Sequence, residues 1–319
     1  MGTGFTLALA GDTMLGRGVG ERIAQASARD LFAPEVLELT NSADLFVVNL
    51  ECCISERGEP WPDPAKPFFF RAPPRAVEVL QSLGVGCVTL ANNHALDYGY
   101  VALMDTLEWL TEAGIEWVGA GPDESRARAP AVLERAGLRV GVVAATDHPA
   151  EYAATPDRAG VAYAEFRADV PDWIAAAVTA VDAERVLVTP HWGPNMTTEP
   201  PGYVRRAGEK LLAVGADLVA GHSAHVFHGV APRLIYDLGD FVDDYAVDPF
   251  LRNDLGLLWF VTWDASSLRI EAIPLKLDYC HTGLAQDEDR AWIARRFREA
   301  CAALGCRVED REGRLVVAS

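Results

Sequence analysis

Residues Asp217–Gly229, DLVAGHSAHVFHG, run from a short apolar stretch straight into three of the chain's seven histidines. Imidazole titrates near neutrality and is a ready metal ligand, so a cluster of this kind signals a metal, a proton or a charge partner rather than packing. A short apolar run bounded by a glycine reads as a buried strand. The segment is therefore a strand whose carboxyl end carries chemistry, and the fold turns on whether that pattern recurs.

It does recur. FTLALAG ends in Asp12, DLFVVNL in Glu51, VGCVTLA in Asn92, Asn93 and His94, and RVLVTP in His191, while DLVAG ends in His222. RVGVVAAT is a sixth run of the same type. Between these runs, PPRAVEVLQSLG, YVALMDTLEWLTEAG, VPDWIAAAVTAVDAE and YVRRAGEKLLAVG read as amphipathic helices closing on glycine or a charged turn. Strands and helices in alternation predict an α/β sheet with helices on its faces. Open α/β sheets build their sites outside the carboxyl ends of the strands, where these ligand-type residues fall. A helix near Asp289–Leu304 and a strand RLVVAS complete the chain, so 1–319 is expected to be a single domain with 281–319 as a C-terminal helix-strand extension.

Composition narrows the function. A formal net charge of −18 over 319 residues argues against a nucleic-acid or anionic-membrane partner, since both are polyanions. No apolar run reaches the roughly 18 to 20 residues of a membrane span. The opening MGTGFTLALAGD lacks a basic head and reads as a first strand rather than a signal peptide, which predicts a cytoplasmic protein without a membrane anchor. Without an export signal, Cys52, Cys53, Cys87, Cys280, Cys301 and Cys306 are expected to be reduced and buried, and no CxxC pair offers structural zinc. Only Lys66, Lys210 and Lys276 are available as catalytic amines. The glycines of LGRGVGERI are spaced G-x-G-x-G, a weak match to a dinucleotide loop, and no G-x-S-x-G elbow supports a serine hydrolase.

Carboxylates, a carboxamide and imidazoles together suit zinc, manganese or iron, whereas calcium would call for mostly oxygen ligands. Glu51 is placed to bridge two ions, with Asn93, His191 and His222 completing the fuller position. His225, three residues after His222 in a loop, can turn to the same centre, and His228 reads as structural. One or two divalent transition-metal ions are expected.

The ordered set GDTMLGR, NLE, ANNHALDYG, HWG and GHSAHVFHG, followed by LIYDLGDF, resembles the poly-γ-glutamate capsule-synthesis (CapA-like) family, a divergent branch of the calcineurin-like metallophosphatases. The resemblance runs from about Phe5 to Phe241. It implies a four-layer α/β/β/α sandwich of two mixed sheets with a dinuclear metal centre at their upper edge. By motif position it implies Asp12, Glu51, Asn93, His191, His222 and His225 as ligands, and His94 as the histidine that assists the leaving group. Two departures stand out: Met14 replaces a histidine of the wider superfamily, which would weaken or empty one metal position, and Asp240 replaces the asparagine of LGNF. Asp240, in a run with Asp237, Asp243 and Asp244, reads slightly better as an acidic surface loop than as an added ligand.

Bound divalent ions lower the pKa of water and clamp the oxygens of an in-line displacement. His94 would protonate the departing oxygen with its ring steered by Asp97, unless both serve only to cap the helix that begins there. Arg17 and Arg71 are candidates to hold the anionic group of a small substrate, or else surface ion pairs, and SERGEPWPDPAKPFFFRAPP is a candidate wall facing it. The expected activity is that of a metal-dependent hydrolase, read first as a phosphoesterase. The alternatives are an amide or γ-glutamyl hydrolase at the same centre, or a non-catalytic factor in poly-γ-glutamate synthesis. Oligomeric state is not legible.

Overall fold

A computed structural model describes residues 4–264 and 267–318. Met1–Thr3 of the expected first strand and Ser319 of the last lie outside the described residues. The chain opens with parallel strands β1 (Phe5–Thr13), β2 (Leu45–Leu50), β3 (Cys87–Thr89) and β4 (Glu116–Val118). It then builds a second sheet from β5 (Ala131–Arg135), β6 (Leu138–Thr146), β7 (Arg185–His191), β8 (Leu218–Ala220), β9 (Val230–Ala231) and β10 (Leu234–Ile235). Finally it returns to the first sheet through β11 (Asp240–Val242), β12 (Leu255–Trp263), β13 (Leu268–Asp278), β14 (His281–Leu284), β15 (Arg307–Arg311) and β16 (Arg314–Ala318). The first sheet runs β15-β16-β13-β12-β1-β2-β3-β4 with β11 beside β1 and β14 beside β13, and the second runs β9-β10-β8-β7-β6-β5. Both are mixed.

Side-chain alternation explains why two sheets stack. Successive residues of a strand face opposite sides, so a strand buried on both faces feeds two cores. In β1, Leu7 and Leu9 enter one core while Ala8 and Ala10 enter another, and in β12 Leu257, Trp259 and Val261 alternate with Leu258 and Phe260. The second sheet repeats this: Val142, Ala144 and Leu187 join the core of Leu7 and Leu9, whereas Val143, Ala145 and Val188 face a third core. The shared core is thus the sheet-to-sheet interface. The first outer core is closed by α1 (Arg17–Gln25), α2 (Pro34–Asn41), α3 (Ala76–Ser82) and α4 (Gly99–Glu112). The third is closed by α5 (Asp172–Ala180) and α6 (Gly202–Ala213). The four-layer sandwich implied by the resemblance is present.

Every strand and helix read from the sequence is found. The two long antiparallel strands β12 and β13 are not among those readings. All six cysteines are free and buried, as expected. Among the described residues no helix is long and apolar enough to cross a membrane.

The last helix, α7 (Asp287–Ala302), inserts Ile293, Phe297 and Cys301 into the inter-sheet core, and β16 hydrogen-bonds to β13. Phe297 meets Trp259 edge-on at 5.4 Å and Phe227 at 6.2 Å. Phe297→Ala should therefore cost about 3–5 kcal/mol of unfolding free energy, measured by urea denaturation; a loss under about 1 kcal/mol would mean that α7 contributes little to that core.

A buried cluster of carboxylates and imidazoles

Strand register brings the ligand-type residues to one edge. Asp12 ends β1, where it lies beside Asn49 of β2 on one side and Asp240 of β11 on the other. Gly11 makes the second approach possible, since a Cβ there would meet the Gly239 carbonyl at 1.9 Å. On the second sheet His191, at the end of β7, bridges to His222, just beyond β8. Gly221 has a similar reason: a Cβ would strike the buried Trp192 indole, which donates from Nε1 to the Tyr236 carbonyl at 3.0 Å. The loop after His222 holds Ser223 at φ 126° and His225 at φ 62°, conformations costly for non-glycine residues that persist only where the surroundings enforce them. Asp237 is that enforcement: its carboxylate accepts from the Ala224 amide at 2.8 Å and the Gly239 amide at 2.9 Å, tying the histidine loop to the turn that delivers Asp240.

Two ligand groups share Asp12. Its Oδ1 lies 3.9 Å from His191 Nδ1 and 3.7 Å from His222 Nδ1, and those two nitrogens are 2.8 Å apart. Its Oδ2 lies 3.3 Å from His225 Nδ1, which is 2.8 Å from Asp240 Oδ1, and Glu51 joins this second group. His222 Nε2 sits 3.0 Å from Thr189 Oγ1; a ring proton held there leaves Nδ1 as a lone pair facing the centre.

The fit to a cation can be judged from the polar atoms themselves. Asp12 Oδ2, both Glu51 carboxylate oxygens, Asn93 Oδ1 and Asp240 Oδ2 are buried without a hydrogen-bond partner. Orphaned buried oxygens are rare and each costs roughly 1–3 kcal/mol, so the four carried by Asp12, Glu51 and Asp240 call for protons or a cation. Burial pushes the Asp12 carboxyl up to about 6 and those of Glu51 and Asp240 well above the carboxylate range. The same burial drives the His222 imidazole down to about 3 and His191 well below its ordinary value. The pocket disfavours charge of either sign on its own groups, and divalent cations would stabilise the carboxylates while using the imidazoles neutral. Asp12, Glu51, His191, His222, His225 and Asp240 form two groups that could hold metal, and Asn93, with its Oδ1 buried and unpaired, is the expected ligand outside them.

Asp240 requires a correction. It is 2% exposed and belongs to β11, not to an acidic surface loop. Asp237 is equally internal, and Asp244 is taken by the Gly18 amide at 2.9 Å and by Arg17. That internal carboxylate occupies the turn in which a dinucleotide phosphate would sit. Met14 is turned from the centre, its sulfur accepting from the Gly16 amide at 3.1 Å.

Beside the cluster, His94 Nδ1 is 2.6 Å from Asp97 Oδ2. Asp97 is not a helix cap: α4 begins at Gly99 after Tyr98, with no side-chain cap. Its carboxylate instead accepts from the Phe70 amide at 2.6 Å and the Tyr152 hydroxyl at 3.3 Å, and pairs with Lys66 at 3.0 Å. Phe70 stacks on the His94 ring at 3.9 Å. The proline- and aromatic-rich loop expected as a substrate wall thus supplies Lys66 and Phe70 to support this pair. Arg17 lies at the margin, paired with Asp244 at 3.1 Å and near Phe68, Phe70 and Tyr245, which itself meets the His225 ring. Arg71 donates to the Arg57 and Gly58 carbonyls and stacks on Tyr98 at 4.1 Å; none of its described contacts reaches the cluster.

Sequence reasoning missed Asn49 and His148 and gave Asn92 no supporting role. Asn49 donates to Asp12 Oδ1 at 2.7 Å, Asn92 donates to Asn49 at 3.0 Å, and Asn92 Oδ1 accepts from the His94 amide, one relay from the first carboxylate to the His94 loop. A polar residue inside the apolar run DLFVVNL was the available signal for Asn49. His148, paired with Asp147, stands 5.2 Å from the His191 ring; it follows RVGVVAAT, set off from the strand by Asp147. His228 bonds the Thr197 carbonyl and serves structure.

The family described as "Bacterial capsule synthesis protein PGA_cap" matches residues 6–245, which contain all these groups. The chain belongs to that family. A "Probable polyglutamine synthesis accessory protein" of Mycobacterium tuberculosis (strain H37Rv) is 34% identical over 307 residues, covering 88% of this chain and 78% of the relative. The "PGA biosynthesis protein CapA" of Bacillus subtilis (strain 168) is 27% identical over 240 residues, covering 73% and 62%. Among solved structures, a putative 5'-nucleotidase from Staphylococcus aureus is similar at 12% identity and a TM-score of 0.48, covering 90% of this chain and 56% of that one.

Since the raised carboxyls hold protons that a cation must displace, metal uptake at pH 7 should release protons, and affinity should fall as pH drops through about 6. Calorimetry in buffers of different ionisation enthalpy measures this; uptake with no proton release would contradict it.

Proposed function

We propose that the chain is a metal-dependent hydrolase cleaving a phosphoester of a small anionic substrate. The observation that carries this reading is the convergence of four partnerless buried carboxylate oxygens with three imidazoles, beside a separate histidine–aspartate pair. One or two divalent ions (manganese, zinc or iron), when bound, supply Lewis acidity and lower the pKa of a coordinated water.

The chain's own residues account for the rest. Asp12, common to both ligand groups, and Glu51, which also lies 4.0 Å from His191, would stand between two ions, and Asn93, His191, His222 and His225 would complete their hold. His94 is anchored through Nδ1 to Asp97, leaving Nε2 as its free edge. Burial lowers the His94 pKa to about 4 against the pull of Asp97. An arriving phosphoryl group brings negative charge that favours the imidazolium, so the ring gains its proton with the substrate and passes it from Nε2 to the leaving oxygen. Lys66 balances the Asp97 charge and keeps that carboxylate from trapping the proton. Arg17, 37% exposed at the margin, is the cation available to a second anionic group.

A second reading draws on the relatives' names, which concern polyglutamine and PGA synthesis. Under it the same groups open a γ-glutamyl amide, His94 protonating nitrogen instead of oxygen. The word accessory in one name supports a third reading, an assembly role without turnover. Metal-loaded protein assayed on aryl phosphate mono- and diesters and on a γ-glutamyl anilide separates the three: phosphoester turnover supports the first, anilide turnover the second, and neither the third.

Two variants test the roles. His191→Ala should lower metal stoichiometry and abolish turnover; unchanged turnover would exclude the proposed centre. His94→Asn should keep metal stoichiometry and lower kcat by about 10²–10⁴-fold; an unaltered kcat would remove His94 from the proton path.

A further inference from the structure

The two halves of the cluster differ chemically. Around Asp12 Oδ1 stand two imidazole nitrogens, from His191 and His222, with Glu51 Oε1 at 4.0 Å from the far nitrogen of His191. Around Asp12 Oδ2 stand one imidazole, His225, and the carboxylates of Glu51 and Asp240. Nitrogen-rich sets suit zinc or iron, whereas carboxylate-rich sets suit harder ions such as manganese or magnesium.

Asp240 makes the difference. The backbone delivers it: β11 runs parallel to β1 with Asp240 opposite Asp12, and the Asp12 amide donates to the Gly239 carbonyl at 3.0 Å. Asp12 and Asp240 lie side by side in a dry pocket and Asp240 also meets the buried Asp243 carboxyl, so ionised carboxylates there repel one another unless a cation lies between them. Met14 cannot serve this half, its sulfur being engaged with Gly16.

We propose that Asp240 is a metal ligand of the oxygen-rich half, and that it makes the centre select two unlike ions, a hard divalent ion beside Asp240 and a borderline ion between His191 and His222. The proposal rests on reading the cluster as a metal centre.

Protein stripped with chelator, given one equivalent of zinc and then titrated with Mn²⁺, tests it, with free Mn²⁺ followed by its EPR signal and bound zinc by elemental analysis. Wild type should retain one zinc and bind one manganese. Asp240→Asn should retain the zinc and bind manganese at least about tenfold more weakly. Manganese affinity unchanged in Asp240→Asn would overturn the ligand role while leaving the metal centre intact. Equal loss of both metals would overturn the division into unlike halves. Competition on wild type alone keeps the selectivity testable should the variant not fold: if zinc fills both positions and excess manganese displaces neither, the proposal fails. Uptake of neither metal by wild type would instead sink the underlying reading of the cluster.

Discussion

The structure is organised around a desolvated concentration of like charge. Asp12, Glu51 and Asp240 lie together at the edge of two stacked sheets, nearly without solvent and with most of their outward oxygens unpaired. Carboxylates taken from water at this density strongly resist ionisation, and neighbouring imidazoles resist it in the opposite sense. A cation reconciles both tendencies at once, which makes the cluster intelligible as a binding site and difficult to explain as packing.

Much of the surrounding chain works to keep those groups converged. The Asn49–Asn92 relay joins Asp12 to the His94 loop within the first sheet. Asp237 performs the corresponding task on the other side, holding a strained histidine loop against the turn that carries Asp240. Lys66, Phe70 and Tyr152 fix the His94–Asp97 pair from a third direction. Side chains locked by packing and outer hydrogen bonds need little reorganisation when a ligand arrives. The four-layer sandwich supplies rigidity because each strand near the site is buried on both faces and can shift only by disturbing two cores.

Residues placed in the cluster were legible as strand-end residues: a short apolar run stopping at aspartate, glutamate, asparagine or histidine marks itself. Residues that support the cluster were not. Asn49 sits within a strand, Lys66 in a loop of many prolines, and His148 after a strand whose exit looked unremarkable; nothing local separates them from ordinary polar residues. The error over Asp240 had the same origin. Four aspartates in eight residues look like a solvated turn, and only the pairing of β11 with β1 reveals that the turn enters the core.

The sequence by itself determined the α/β class, the buried strands, and which side chains stand at their carboxyl ends, because apolar periodicity and residue type are properties of short segments. The tertiary structure alone decided which strand ends meet, which carboxylates lose their water and which arginine approaches the centre. Those outcomes depend on contacts between residues as distant as Asp12 and Asp240, and on the desolvation that arises only when the two sheets close over them.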